Sequence, residues 1–104
     1  MKISVMGSGG WGTALALVLL ENGHDVTLWS YTEAESSLLR EQRENPMLKG
    51  VALPEELKLT SALDCVKGCG AVVLATPSFA VRTTARAVAP LLDPGAVLVS
   101  VSKG

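Results

Sequence analysis

Three glycines, Gly7, Gly9 and Gly12, stand at the spacing G-x-G-x-x-G within Gly7-Ser8-Gly9-Gly10-Trp11-Gly12. That spacing carries phosphate chemistry when it joins a strand to a helix. Gly7 permits the tight turn, Gly9 lets a pyrophosphate approach the backbone, and Gly12 lets the helix pack closely on the strand. The helix N-terminus then offers N–H groups and a partial positive charge to the phosphates. No Gly-Lys-Ser/Thr follows, so the segment is not a P-loop. An acidic residue is expected about 20 residues on, against a ribose hydroxyl. Ser30, Tyr31 and Thr32 stand there instead, Glu33 lies just beyond, and no Arg is placed to meet a 2′-phosphate. The motif therefore predicts a bound dinucleotide, NAD or NADP, without choosing between them. Tyr31 suits either packing on an adenine or covering the sheet edge.

The elements around the motif are those it needs. Lys2 to Met6 reads as a short strand, and Trp11 to Asn22 as a helix with only Glu21 charged. Such a helix is apolar on nearly all sides and is expected to be buried. Gly23 ends it, as a glycine just past a helix does. Asp25 to Ser30 is a second strand. Thr32-Glu33-Ala34-Glu35 has the pattern of a capping box, so a second helix starts there, amphipathic through Leu38 and Leu39 and ending before Pro46. Residues 45–56 read as a loop, Leu57 to Thr60 as a short strand, and Ser61 to Lys67 as one or two helical turns capped by Ser61. Ala71 to Ala75 is a continuous apolar run, the mark of a strand buried on both faces. Pro77 breaks it, and Ser78 is placed to cap the next helix. Val81, Ala85, Val88 and Leu92 share one face of that helix, and Arg82 and Arg86 share a solvated one. Asp93-Pro94-Gly95 is a turn, and Val97 to Val101 is expected to be the last buried strand. Strands alternating with helices imply a parallel sheet with helices on both faces.

Bulk properties narrow the function classes. The 104 residues carry a net charge of −1, and their Lys and Arg are scattered. A nucleic-acid role thus lacks electrostatic support, and no apolar run is long enough to span a bilayer. Gly7 to Gly12 interrupts what would otherwise resemble a secretory signal. Cys65 and Cys69 have no partner set for zinc and read as small residues of a reduced, cytoplasmic protein. His24, the only histidine, sits at the opposite end of the sheet from the glycines and reads as a turn residue. Trp29, inside a strand, reads as core.

Gly7 to Ala16 (Gly-Ser-Gly-Gly-Trp-Gly-Thr-Ala-Leu-Ala) closely resembles the cofactor motif of bacterial NAD(P)-dependent glycerol-3-phosphate dehydrogenases. Val26-Thr27-Leu28-Trp29 is similar to that family's second strand, and Glu44-Asn45-Pro46 through Leu53-Pro54 to its Asn…Leu-Pro loop. Ala75-Thr76-Pro77-Ser78 resembles its fourth-strand exit, and Val99 to Gly104 its Ser-Lys-Gly motif. The chain departs from the pattern at three places. Gly10 stands where Ser is frequent, Leu48-Lys49-Gly50 is one residue short of the aromatic-Leu-Pro-Gly stretch, and Tyr31 stands where NADP users are often basic.

The resemblance implies hydride transfer between NAD(P)H and dihydroxyacetone phosphate or sn-glycerol 3-phosphate, feeding phospholipid synthesis. It implies cofactor contacts from Gly7, Ser8, Gly9, Gly10, Trp11, Gly12, Tyr31, Thr32, Pro77 and Lys103. Lys103 would also reach the phosphate-bearing small-molecule substrate. The expected fold is α/β, a Rossmann-type doubly wound parallel sheet over residues 1–104. It is expected to be truncated, lacking the second half of the sheet and the helical substrate domain, and with them the proton-transferring lysine. No catalytic residue is expected here, and the fragment is expected to be inactive by itself. A half-built sheet leaves an open edge at which a second copy could pair as a homo-oligomer. Two other readings remain. One is the cofactor domain of another 6-phosphogluconate-dehydrogenase-like reductase, against which Trp11 and the Ser-Lys-Gly ending speak. The other is a nucleotide-sensing module of the potassium-channel type, which normally has Asp or Glu where Ser30 stands.

Overall fold

A computed structural model of the chain describes residues 1–101; Ser102, Lys103 and Gly104 lie outside the described residues. The order is β1 (Lys2–Met6), α1 (Gly10–Glu21), β2 (Asp25–Trp29), α2 (Glu33–Gln42), β3 (Lys58–Thr60), a 3-10 turn (Leu63–Val66), β4 (Ala71–Leu74), α3 (Ser78–Val88), a second 3-10 turn (Ala89–Leu91) and β5 (Val97–Ser100). All pairings are parallel, in the order β3-β2-β1-β4-β5. The chain steps outward from β1 to β2 and β3, then returns to the other side of β1 for β4 and β5. The point of reversal, between β1 and β4, opens a crevice at the strands' C-terminal ends.

Alternation along the strands splits the core into two layers. Ile3, Val5, Val26 and Leu28 pack on one face with Ala16 of α1 and Leu39 of α2. Met6, Trp29, Val72 and Leu74 pack on the other with Val66 of the 3-10 turn and Val88 of α3. Val81 and Ala85 lean on the same cluster, as their helical spacing predicts; Leu92 joins it from beyond α3, which ends at Val88 and not past Leu92, while Arg82 and Arg86 are exposed. Ser4 is fully buried on this second face. Its hydroxyl donates to the Cys65 carbonyl at 2.8 Å, which meets the need of a polar group in a core strand.

Several local expectations need correction. Helix α1 begins at Gly10 and is only partly buried: Gly12, Thr13 and Ala16 face the core, while Val18 is 51% exposed. One face meets the sheet, and Trp11 is left exposed along with Val18. Strand β5 is exposed along its length, with Val97 at 56%, because it forms the edge of the sheet and nothing among the described residues covers it. Ser78 is the first residue of α3, not its cap; Pro77 holds the cap position without a side-chain bond. Ser61 does not cap the 3-10 turn, which starts after Ala62. Its hydroxyl instead donates to the Glu33 carboxylate.

Thr32 does cap α2, taking the Glu35 N–H at 3.2 Å. The Glu35 carboxylate returns to the Thr32 hydroxyl, at 3.0 Å, and not to its N–H. Gly23 follows α1 at φ +88°, a conformation that favours glycine.

Candidate functional site

The crevice is a cleft of about 720 Å³. The glycine turn, residues 7–12, forms its floor. The end of β2 with Tyr31 closes one side, and Thr76, Pro77 and α3 close the other. Each glycine of the spacing meets a different constraint. Gly7 has φ +127°, and a Cβ there would stand 2.8 Å from the backbone of Ala75, so the turn passes directly over the end of β4. Gly12 sits where a Cβ would be 2.0 Å from the Gly7 carbonyl oxygen. Gly9 is the N-cap of α1, and a Cβ there would meet nothing within 4 Å. The packing therefore does not require glycine at position 9, whereas a ligand lying over the turn would.

The electrostatics suit an anion. Helix α1 has no side-chain cap and no acidic residue in its first turn. The N–H groups that open a helix have no intrahelical acceptor, and no carboxylate of that turn competes for the positive end of the dipole. The aromatic residues stand at the margins. Tyr31 is 74% exposed and meets Trp29 edge-on, with ring centroids 6.1 Å apart. Trp29 is core, as its place in a strand predicts, and its indole N–H donates to the Ser61 carbonyl. The Trp11 indole N–H donates to the Val101 carbonyl at 3.1 Å, tying the start of α1 to the exit of β5.

Among the residues implied by resemblance, Gly7 to Gly12, Tyr31 and Pro77 line the cleft. Thr32 does not; it is engaged as the cap of α2. Lys103 lies outside the described residues. His24 is at the far end of β2, consistent with a turn position, and its Nδ1 is buried without a hydrogen-bond partner among the described residues.

The sequence reading missed a buried support beneath the glycine turn. Asn45, 3% exposed, donates from Nδ2 to the Ser8 carbonyl at 2.8 Å and to Thr13 Oγ1 at 2.7 Å. Its Oδ1 accepts the Met47 N–H. Ser30, fully buried, donates its hydroxyl to Ser8 Oγ at 2.8 Å. The place of the missing acidic residue is thus taken by a hydroxyl that braces the turn from within. The cleft-facing residues of α3 were also missed. Phe79 is 86% exposed, Ala80 stands next to it, and Thr83 and Thr84 follow one turn on. Their spacing of three and four was the available signal.

Outside the cleft, the Glu33 carboxylate has structural partners. Hydrogen bonds from Ser61, Arg40 and Ser37 hold the Glu33 carboxyl at a pKa of about 2. Cys65 and Cys69 are free thiols, and burial pushes that of Cys65 up, away from the reactive thiolate form. The described residues contain no grouping of three or more His, Cys, Asp or Glu fit for a metal, and no helix long and apolar enough to cross a membrane.

Comparison with known proteins agrees with this geometry. Residues 2–104 match the family described as NAD-dependent glycerol-3-phosphate dehydrogenase N-terminus. The chain is 46% identical to the glycerol-3-phosphate dehydrogenase [NAD(P)+] of Moorella thermoacetica, over 99% of this chain and 31% of that protein. It is 41% identical to the same enzyme of Fusobacterium nucleatum, over 100% of this chain and 32% of that protein. The crystal structure of glycerol-3-phosphate dehydrogenase from Coxiella burnetii superposes with a TM-score of 0.89 at 32% identity, covering 99% of this chain and 32% of that one. The chain thus spans about a third of the length of these relatives.

Proposed function

The chain belongs to the NAD-dependent glycerol-3-phosphate dehydrogenase N-terminus family, and on that premise we propose that it is the cofactor-holding part of an oxidoreductase. The whole protein moves a hydride between NAD(P)H and dihydroxyacetone phosphate or sn-glycerol 3-phosphate, and so supplies phospholipid synthesis in the cytoplasm. The observation that carries this reading is the glycine turn. Gly7 and Gly12 are required by the fold itself, whereas Gly9 faces open space at an uncapped helix N-terminus. A pyrophosphate accounts for that third glycine.

The residues present fit a dinucleotide. Gly7 to Gly12 would hold the pyrophosphate, and Tyr31 would flank the adenosine end. Pro77 would border the other side of the cleft, and Thr32 would set Tyr31 in place as the cap of the following helix. When bound, the nicotinamide supplies or accepts the hydride. Trp11, through its bond to the Val101 carbonyl, would steady the exit of β5, and Lys103 follows two residues later in the sequence. An ammonium at that position suits a phosphate or a polarised carbonyl oxygen. The free thiols of Cys65 and Cys69 suit a reducing compartment. The open edge at β5 is where a further strand, or a second copy, would pair.

The test is a pair of measurements on the full-length protein: calorimetric titration with NADH and NADPH, and oxidation of either on adding dihydroxyacetone phosphate. Binding and turnover are expected. Binding without turnover of this substrate would place the chain in another reductase, and absence of binding would remove the cofactor assignment.

A further inference from the structure

Glu35 is the one charged side chain among the described residues that line the cleft. It lies in the first turn of α2, four residues after Tyr31, on the side of the cleft formed by the end of β2. A dinucleotide with its pyrophosphate on the glycine turn directs its adenosine ribose to that side. Glu35 accepts the Thr32 hydroxyl through Oε1, and Oε2 has no hydrogen-bond partner among the described residues.

The cations of α2 and of its C-cap are committed elsewhere. Arg40 donates to the Glu33 carboxylate, to Ser36 Oγ and to the Leu59 carbonyl. Arg43 donates to the carbonyls of Pro54 and Leu57. Arg40 is thus held against β3, and Arg43 against the loop that precedes it. Ser30, at the strand end itself, spends its hydroxyl on Ser8.

Resting on the reading of the cleft as a dinucleotide site, we propose that Glu35 is the specificity-determining residue at the adenosine ribose and that the protein takes NAD(H) in preference to NADP(H). The carboxylate tolerates a ribose bearing free hydroxyls. It repels a 2′-phosphate, which would bring a second anionic group to a side of the cleft where the nearby guanidinium groups are already engaged.

The magnitude follows from Coulomb's law. A carboxylate and a doubly charged phosphate about 6 Å apart in water, screened at physiological salt, oppose each other enough to change affinity about three- to tenfold. Glu35→Gln removes the charge and retains an amide oxygen able to accept from Thr32, so the cap of α2 is kept. Glu35→Lys reverses the charge.

Calorimetric titration of the full-length protein and both variants with NADH and with NADPH reads the effect directly. Wild type is expected to bind NADH more tightly. Glu35→Gln should strengthen NADPH binding about three- to tenfold while leaving NADH within about twofold, and Glu35→Lys should move the ratio further the same way. A wild type that prefers NADPH, or a ratio that neither variant moves, overturns the inference and leaves the dinucleotide reading intact. Failure of wild type to bind either dinucleotide overturns both.

Discussion

Substituting alanine for Gly12 and for Gly9 separates what the glycine turn does for the fold from what it does for a ligand. Both residues belong to the same six-residue motif, and their surroundings are opposite. In a helix, Ala is favoured over Gly by about 1 kcal/mol, so Gly12→Ala would stabilise α1 if nothing stood in the way. The added Cβ would lie 2.0 Å from the Gly7 carbonyl oxygen, where ordinary contacts begin at 3.4 Å. Neither atom is the end of a flexible side chain, so the start of α1 must move off β1. Overpacking of this kind costs typically 1–3 kcal/mol, and more when backbone must shift. The expected net loss for Gly12→Ala is about 2–3 kcal/mol, read as a lower midpoint in urea with an unchanged slope.

Gly9 has φ −68° and ψ −179°, which any residue adopts, and nothing within 4 Å of its Cβ position. Gly9→Ala should therefore cost no more than about 1 kcal/mol of stability, as a poorer cap. The same Cβ points into the space assigned to the pyrophosphate, and dinucleotide affinity should fall at least about tenfold, or 1.4 kcal/mol. Urea unfolding followed by circular dichroism and titration with NADH give the two readouts. Gly12→Ala as stable as wild type would show that the turn yields without cost. Gly9→Ala binding as well as wild type would show that no phosphate lies over that glycine.

Two further outcomes are expected. Asn45→Ala removes the bonds to the Ser8 carbonyl and Thr13 Oγ1 and should cost about 2–3 kcal/mol in urea unfolding. It should also weaken NADH binding, because Ser8 lies inside the turn; a neutral effect on both would mean that Asn45 does not brace it. The Glu33 carboxyl, lowered to about 2 in the folded chain, contributes stability that is complete above its ordinary value of 4.5 and is lost as the pH falls toward 2. A carboxyl-carbon NMR titration should place the Glu33 midpoint well below its ordinary value of 4.5, and a midpoint near 4.5 would dissolve the cluster with Ser61 and Arg40.

What the sequence revealed, and what it concealed, follows from the range of the interactions concerned. The turn from β1 into α1 was legible because every constraint on it is local. Gly7, Gly9 and Gly12 answer to atoms of the same turn or of the strand ends beside it, and a spacing records such demands. Ala71 to Leu74 was legible because burial on both faces leaves an unbroken apolar run. Val97 to Ser100 looks the same in sequence, yet it is exposed, because burial depends on neighbours beyond a strand's own residues. Ser61 and Ser78 were read as caps from their positions alone. Ser61 is 28 residues from the carboxylate it bonds, a separation that no local pattern reports.

Asn45 shows the same blindness within the site. It reaches Ser8 across 37 residues, and the resemblance that marks the Asn45 to Leu53-Pro54 loop carries no sign of that bond. The acidic residue sought at the end of β2 is the most instructive case. A rule tied to the strand end finds Ser30 and predicts no charge discrimination at the ribose. The fold turns the Ser30 hydroxyl inward to Ser8 and brings Glu35, five residues later and on a helix, to the same side of the cleft. Discrimination by charge depends on where a carboxylate stands in space, and one turn of helix can supply the position that a strand end leaves empty.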